Sequence, residues 1–248
     1  NVVNKALVNT TVQINLNNTA KDPKETNVAL FLYKAGTKEL KYTFTHTLNA
    51  NGLPDTVVMD PAIEYDMVVN TLPRRELKGI KLQRNTHNVI SIDVPQGYLN
   101  TRVINATKNY IIPTRIMESG NSSTLNVQQA SSTDKYIVGK YDIEILTLPR
   151  IYQTVDITQS STIKIDIVAP GNFVYKASKP ITGQIFSVNG DGTFNWICNL
   201  DDQPSSGNWQ LQPGNYKVVY RIRDIKSTIY TTEKEFKIYS NKITSLNF

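Results

Sequence analysis

The sequence predicts an all-β protein made of three tandem small β-sandwich modules in a linear array. Three observations carry this. One strand pattern recurs, as YDMVVNTLPR from Tyr65 to Arg74, YDIEILTLPR from Tyr141 to Arg150 and, more loosely, YKVVYRIRD from Tyr216 to Asp224. Its starting tyrosines lie 76 and 75 residues apart, the constant period that marks an array of like units. Between the copies, short alternating apolar and polar runs are separated by Gly, Pro and Asn, and none has a helical period.

The elements follow in order. Residues 11–16 alternate with a period of two and read as a half-buried strand; residues 17–26 are polar and turn-rich. Residues 27–34 and 40–48 form a hairpin through Ala35-Gly36-Thr37. Asn51-Gly52 and Pro54 signal a turn before a short strand at 56–59. The tyrosine strand, residues 77–82 and residues 86–94 complete a first module of about seven strands. VPQGYL from Val94 and VAPGNF from Val168 open the next two, with no Gly/Ser-rich linker between. The expected boundaries are 1–95, 96–169 and 170–248. A chain that begins at Asn1 without methionine reads as a mature or excised fragment, and Phe248 falls where the third unit closes.

Alternation puts Tyr65, Met67 and Val69 on the core face of the tyrosine strand, matched by Tyr141, Ile143 and Ile145 and by Tyr216, Val218 and Tyr220. Asp66, Asp142, Glu144, Lys217 and Arg221 face outward. A tyrosine buried at a strand start needs a partner for its hydroxyl, and a loop carbonyl just upstream is within reach. Gly139 and Gly214, two residues before their tyrosines, suggest a turn needing an unusual backbone angle. Module 1 has Ile63 there, so its turn is expected to differ.

Composition excludes several function classes. The formal charge of +6 divides as +2, +1 and +3 over the three modules, and so even a scatter does not form a nucleic-acid surface. The densest basic group, Arg74, Arg75, Lys78, Lys81 and Arg84, reads as a solvated face. A single cysteine, Cys198, excludes an internal disulfide, and its apolar setting implies a buried, inert thiol. No stretch is long and apolar enough for a membrane helix.

YDMVVNTLPR with THNVISIDVPQG, and KYDIEILTLPR with VAPG, resemble the C-terminal β repeats of bacterial secreted proteins that carry a von Willebrand factor type A domain; LQPGNYKVVYR fits the same series. The likeness covers nearly the whole chain. More distantly, the Gly-x-Tyr strand entry is similar to transthyretin-like and carboxypeptidase-regulatory-like modules, and Ig-like sandwiches also place tyrosine at a strand start. The resemblance implies an exported parent, in the periplasm, at the cell surface or secreted. The Asp-x-Ser-x-Ser metal loop of the A domain is absent, since Asp134, Asp142 and Asp156 lack the Ser-x-Ser that would follow it.

Catalytic chemistry is not written in this chain. His46 and His87 lie on separate strands without a zinc-ligand set, and there is no nucleophile elbow or phosphate loop. Asn189-Gly190-Asp191-Gly192 reads as a hairpin turn rather than a calcium loop, because Asp191 lacks alternating oxygen ligands and a distal acid. We therefore expect no enzyme, no cofactor and no metal. The expected function is a structural or protein-interaction region, of the spacer or adhesion type, whose partner is another protein or another domain of the parent. The alternative is a carbohydrate-binding sandwich using module 3 aromatics. Trp196 and Trp209, with Asp201 and Asp202 in the loop between them, are the candidate surface: a coplanar exposed tryptophan pair would favour glycan, and burial of both would favour core.

Overall fold

A computed structural model describes residues 9–16 and 25–248. The turn-rich segment expected at 17–26 lies mostly outside the described residues. The remainder is strand and turn, with a single 3-10 turn at Thr228–Tyr230. The first seven strands are β1 (Thr11–Asn15), β2 (Val28–Lys34), β3 (Leu40–His46), β4 (Thr56–Val58), β5 (Tyr65–Val69), β6 (Arg75–Ile80) and β7 (His87–Ser91). The next seven are β8 (Gln96–Ile104), β9 (Pro113–Glu118), β10 (Asn126–Gln129), β11 (Thr133–Ile137), β12 (Gly139–Ile145), β13 (Ile151–Ile157) and β14 (Thr162–Val168). The last seven are β15 (Gly171–Lys176), β16 (Ile181–Val188), β17 (Phe194–Asn199), β18 (Ser206–Leu211), β19 (Gly214–Ile222), β20 (Thr232–Ile238) and β21 (Ile243–Asn247).

These strands form six sheets in three pairs. The orders are β4-β1-β7 with β3-β2-β5-β6, β11-β8-β14 with β10-β9-β12-β13, and β18-β15-β21 with β17-β16-β19-β20. Each set of seven therefore repeats one connectivity: fourth, first and seventh strands in one sheet, third, second, fifth and sixth in the other. In the first and third sets the first and last strands pair in parallel, Thr11 to Asn15 against His87 to Ser91 and Asn172 to Lys176 against Ile243 to Asn247.

By compactness the chain divides into two units, one of Asn1–Leu99, Asp134–Lys140 and Asp156–Ile163, the other of Asn100–Thr133, Tyr141–Val155 and Lys164–Phe248. The core of the first is built by the alternation read in the sequence: Val12 and Ile14 on β1, Leu30 and Leu32 on β2, and Tyr65, Met67 and Val69 on β5 are all buried. In the second, Phe173, Tyr175, Ile185, Leu211, Tyr216, Val218 and Phe236 form a core rich in stacked rings, with Phe173 and Phe236 centroids 4.3 Å apart. Removing such side chains from water is the main stabilising term.

All three anchor tyrosines are buried, at 0%, 2% and 2% exposure for Tyr65, Tyr141 and Tyr216. The Tyr216 hydroxyl donates to the Gln212 carbonyl at 2.6 Å, and that of Tyr65 reaches one residue further back, to the Asp60 carbonyl at 2.8 Å. Burial pushes both phenols above the usual tyrosine range. Module 1 thus has the different turn its missing glycine implied. The glycine expectation fails at Gly214, which is not among the glycines with positive φ and sits in ordinary contact with the Tyr216 ring, 3.5 Å from where a Cβ would lie. Tyr216→Phe is expected to cost about 1–2 kcal/mol, since it strands a buried acceptor. Urea unfolding followed by tryptophan fluorescence reads this directly, because both tryptophans lie in this sandwich.

Both Leu-Pro bonds of the repeated Thr-Leu-Pro-Arg turn, Leu72-Pro73 and Leu148-Pro149, are cis. The basic group around it is solvated as expected, with Lys78 and Lys81 each 3.5 Å from a glutamate, Glu76 and Glu64.

Candidate interaction surface

The residue after the anchor tyrosine shows where module 3 departs from the others. In β5 it is Asp66, whose carboxylate accepts the N–H groups of Gly36 and Gly79, each at 2.9 Å. In β12 it is Asp142, which accepts from the Gly120 N–H at 3.1 Å and the Thr154 hydroxyl at 2.7 Å. These bonds hold both carboxylates below their usual range, Gly36 leading for Asp66 and Thr154 for Asp142. The acid ties the strand to the β2–β3 turn in one set and to the β9–β10 turn in the other. In β19 the same place is Lys217.

Lys217 reverses the charge and serves a different contact. Its ammonium lies 4.9 Å from the Phe194 ring centroid and 3.2 Å from Glu233 and from Glu235. The hydrogen bonds it donates to these two glutamates, Glu233 first, raise its pKa. Phe194 and Trp196 stand on β17, an edge strand, with 51% and 58% of their surface exposed. Cross-strand pairing puts Val188 opposite Phe194, Phe186 opposite Trp196 and Lys217 opposite Phe186, all on the outer face of one sheet. A cation over an exposed ring, bordered by apolar side chains, is a surface that can dock a protein or a ring-bearing ligand.

The two candidate tryptophans are not brought together. Trp196 belongs to the four-stranded sheet, and its indole N–H donates to Asn199 Oδ1 at 3.2 Å. Trp209 is on β18 in the three-stranded sheet, half-buried, stacked on Tyr175 with centroids 5.6 Å apart and planes 9° apart. No two-tryptophan platform exists, so the arrangement that would have favoured glycan is not formed. Asp201 and Asp202 are exposed. Asp201 is pinned by the Thr182 hydroxyl on its carboxylate and by Arg223, which donates to its carbonyl at 2.7 Å. The loop is held further by Ala177 N–H to the Ser205 carbonyl and Ile181 N–H to the Pro204 carbonyl, both 2.8 Å.

Sequence reasoning missed Phe186, Phe194 and Lys217 as members of one face. A register shift between Ile185 and Phe186 breaks the alternation there and hides this face from the sequence pattern. Ile197 is buried and Cys198 packs partly against the same core. Burial pushes the Cys198 thiol up to about 11, so it is held as an unreactive thiol.

Other candidate chemistry resolves into structure. Asn189 N–H donates to the Thr193 carbonyl at 2.9 Å, closing the β16–β17 hairpin, and Asp191 accepts both the N–H and the hydroxyl of Thr193. His46 is buried, its Nε2 2.9 Å from the Ile14 carbonyl; His87 is exposed, its Nδ1 3.1 Å from the Thr11 hydroxyl. Among the described residues no group of three or more His, Cys, Asp or Glu could hold a metal, and no helix is long and apolar enough to cross a membrane.

Fold and surface define a tandem β-sandwich protein with an exposed aromatic stripe on its last sandwich. No family model and no curated protein matches the chain. Among solved structures it is similar to a streptococcal ancillary pilin, at 11% identity over 96% of this chain and 98% of that one, TM-score 0.31. It is also similar to GBS52, the minor pilin of Streptococcus agalactiae, at 13% identity over 64% and 93%, TM-score 0.30. A third is the Bacillus anthracis TIE protein, at 10% identity and TM-score 0.28, matched over 97% of this chain and 50% of that one. The chain spans half the length of the Bacillus anthracis protein.

Proposed function

We propose that this chain is a structural and protein-interaction region, of the spacer or adhesion type, in an exported bacterial cell-envelope protein, with 1–95, 96–169 and 170–248 as its units. The observation that carries this is the threefold repeat of one strand connectivity in which the recurring residues serve the core and the turns. The outward residues change in sign and kind, from Asp66 and Asp142 to Lys217. A region that spaces or presents something needs a repeated rigid unit and tolerates such variation. The resemblance to repeats that follow a von Willebrand factor A domain supports the exported parent. The partner is another protein or another domain of the parent, met at the Phe194–Trp196 face.

Dyes on Asn9→Cys and Asn247→Cys in a Cys198→Ser background test the spacer role by single-molecule energy transfer. A narrow inter-dye distance distribution that shortens when residues 96–169 are deleted is expected. A broad distribution, indifferent to the deletion, would describe a flexible tether and defeat the reading.

A further inference from the structure

Two copies of the module carry Thr-Leu-Pro six residues after the anchor tyrosine, Thr71 to Pro73 and Thr147 to Pro149. The turn is built alike in both. The threonine N–H donates to the residue two before it, Val69 or Ile145, at 2.9 Å. The threonine hydroxyl donates to the proline carbonyl, at 2.7 Å in one copy and 2.6 Å in the other. Both threonines are buried.

The leucine carbonyl inside this turn then receives a backbone N–H from elsewhere. Ile137 donates to Leu72 and Gln212 donates to Leu148, both at 2.7 Å. The two donors occupy the same place in their own modules, four residues before the anchor tyrosine, Ile137 as the last residue of the fourth strand and Gln212 just after it. Each bond thus runs from the fourth strand of one module to the turn of the module before it. Apolar packing follows the same route: Ile137 joins the core around Tyr65 and Met67, and Leu148 packs on the core around Phe173 and Tyr216.

We propose that the Thr-Leu-Pro turn is a socket whose partner is a second module of this kind, recognised by the backbone N–H that closes its fourth strand. This deepens the spacer reading and rests on it. Ile137 and Gln212 are buried while Leu72 and Leu148 are half-buried, and a buried N–H that loses its acceptor has little water to replace it, which makes the contact selective for a correctly placed pair. The outer copies lack the matching parts. At the donor position module 1 has Pro61, which carries no N–H. At the socket position module 3 has Ile222-Arg223-Asp224, where the Arg223 N–H instead donates to the Pro180 carbonyl at 2.8 Å. The bond is made at the two internal junctions; Pro61 has no N–H to donate, and the third copy lacks the Thr-Leu-Pro turn that presents the carbonyl.

A second contact tells the junctions apart. Following the first strand of module 1, Glu25 accepts the Gln96 N–H at 2.8 Å and the Lys135 ammonium at 2.8 Å, with Glu25 at 4% exposure. Following that of module 2, the Tyr110 hydroxyl donates to Asn241 Oδ1 at 2.9 Å, a bond between two neutral groups. The first contact includes an ion pair and the second joins neutral groups, so the two junctions differ in chemistry.

The test is hydrogen exchange by mass spectrometry on the full chain. Gln212→Pro copies the residue that module 1 carries at this place and removes the N–H; Gln212→Ala keeps it. In Gln212→Pro, exchange in the Leu146–Arg150 turn of the preceding module should accelerate at least tenfold, with Gln212→Ala unchanged. The reciprocal variant, Thr147→Val, should accelerate exchange of the Gln212 amide by a similar factor, and it keeps the test open if the proline variant does not fold. Unchanged exchange in both Gln212→Pro and Thr147→Val, or equal acceleration in Gln212→Ala, would overturn the socket. That failure with a narrow inter-dye distribution removes the socket alone, whereas a broad wild-type distribution removes the spacer reading itself.

Discussion

Gly171→Ala is expected to destabilise the last sandwich by at least about 3 kcal/mol, at or beyond the upper end for overpacking. A Cβ at Gly171 would lie 2.3 Å from the Tyr239 carbonyl oxygen, 2.8 Å from an Ile238 methyl and 3.0 Å from the Lys242 carbonyl. Two of these are backbone atoms of the turn joining β20 to β21 and cannot rotate away. The sibling position repeats the geometry, since a Cβ at Gly97 would lie 2.2 Å from the Thr158 carbonyl and 3.2 Å from that of Ser161. In module 1 the equivalent is Thr10, and the approach is made differently: the Thr10 hydroxyl accepts the Asn85 N–H at 2.8 Å. In the other two, Ser160 and Asn241 donate to the carbonyls of Gln96 and Pro170. Urea unfolding monitored by tryptophan fluorescence measures the loss. Gly190→Ala is the control, with nothing within 4 Å of the added carbon. If Gly171→Ala matched that control to within about 0.5 kcal/mol, the close approach would not be a constraint.

The second large effect belongs to Glu144. Its carboxylate, 9% exposed, is held by Arg115, by Arg150 at 2.8 Å and by the Tyr152 hydroxyl at 3.3 Å. Burial works against the charged form, but Arg115 and Arg150 outweigh it and the carboxyl titrates below the usual glutamate range. A depressed carboxylate stabilises the fold above its unfolded pKa of about 4.3 and loses that contribution as pH falls through the lower folded value. Glu144→Ala should therefore cost ~2–3 kcal/mol at neutral pH, less than a fully buried pair because Arg150 is half-exposed, and should flatten the acid side of the stability profile. The paired position in module 1 is Phe31 opposite Val68, where module 2 has Arg115 opposite Glu144. Copying that pair with Arg115→Phe and Glu144→Val together should cost less than the sum of the single changes. Strict additivity, or an acid limb unmoved in Glu144→Ala, would show that the ion pair contributes nothing specific.

Much of this architecture could be read from the residues. The 76- and 75-residue spacing marked three copies, and alternation identified the core face of each tyrosine strand, although Glu144, expected to face outward, is itself buried between two arginines. What alternation cannot say is which strand pairs with which, or in what direction; the parallel pairing of β1 with β7 depends on contacts between residues 76 apart. The Phe194–Trp196 face was hidden by a register shift, because an extra residue in a strand moves everything after it to the other side. The glycine before Tyr216 misled for a related reason: Gly214 begins the strand itself instead of turning into it. The socket left a signal in Pro61 and in the absence of Thr-Leu-Pro from the third copy. A bond between two backbone groups, however, has no side-chain pattern from which its partner could be inferred.

The parallel pairing of first and last strands has a mechanical meaning. The chain enters a sandwich at the start of its first strand and leaves at the end of its last, and in a parallel pair these points fall at opposite ends of the ladder. Tension transmitted along the chain then acts along the strands, in shear, and loads the bonds between them together. Antiparallel terminal strands would place entry and exit at the same end and let the bonds yield one after another, as a zip does. In the first and third sandwiches a pull between chain entry and exit therefore meets the ladder in the direction where it resists most.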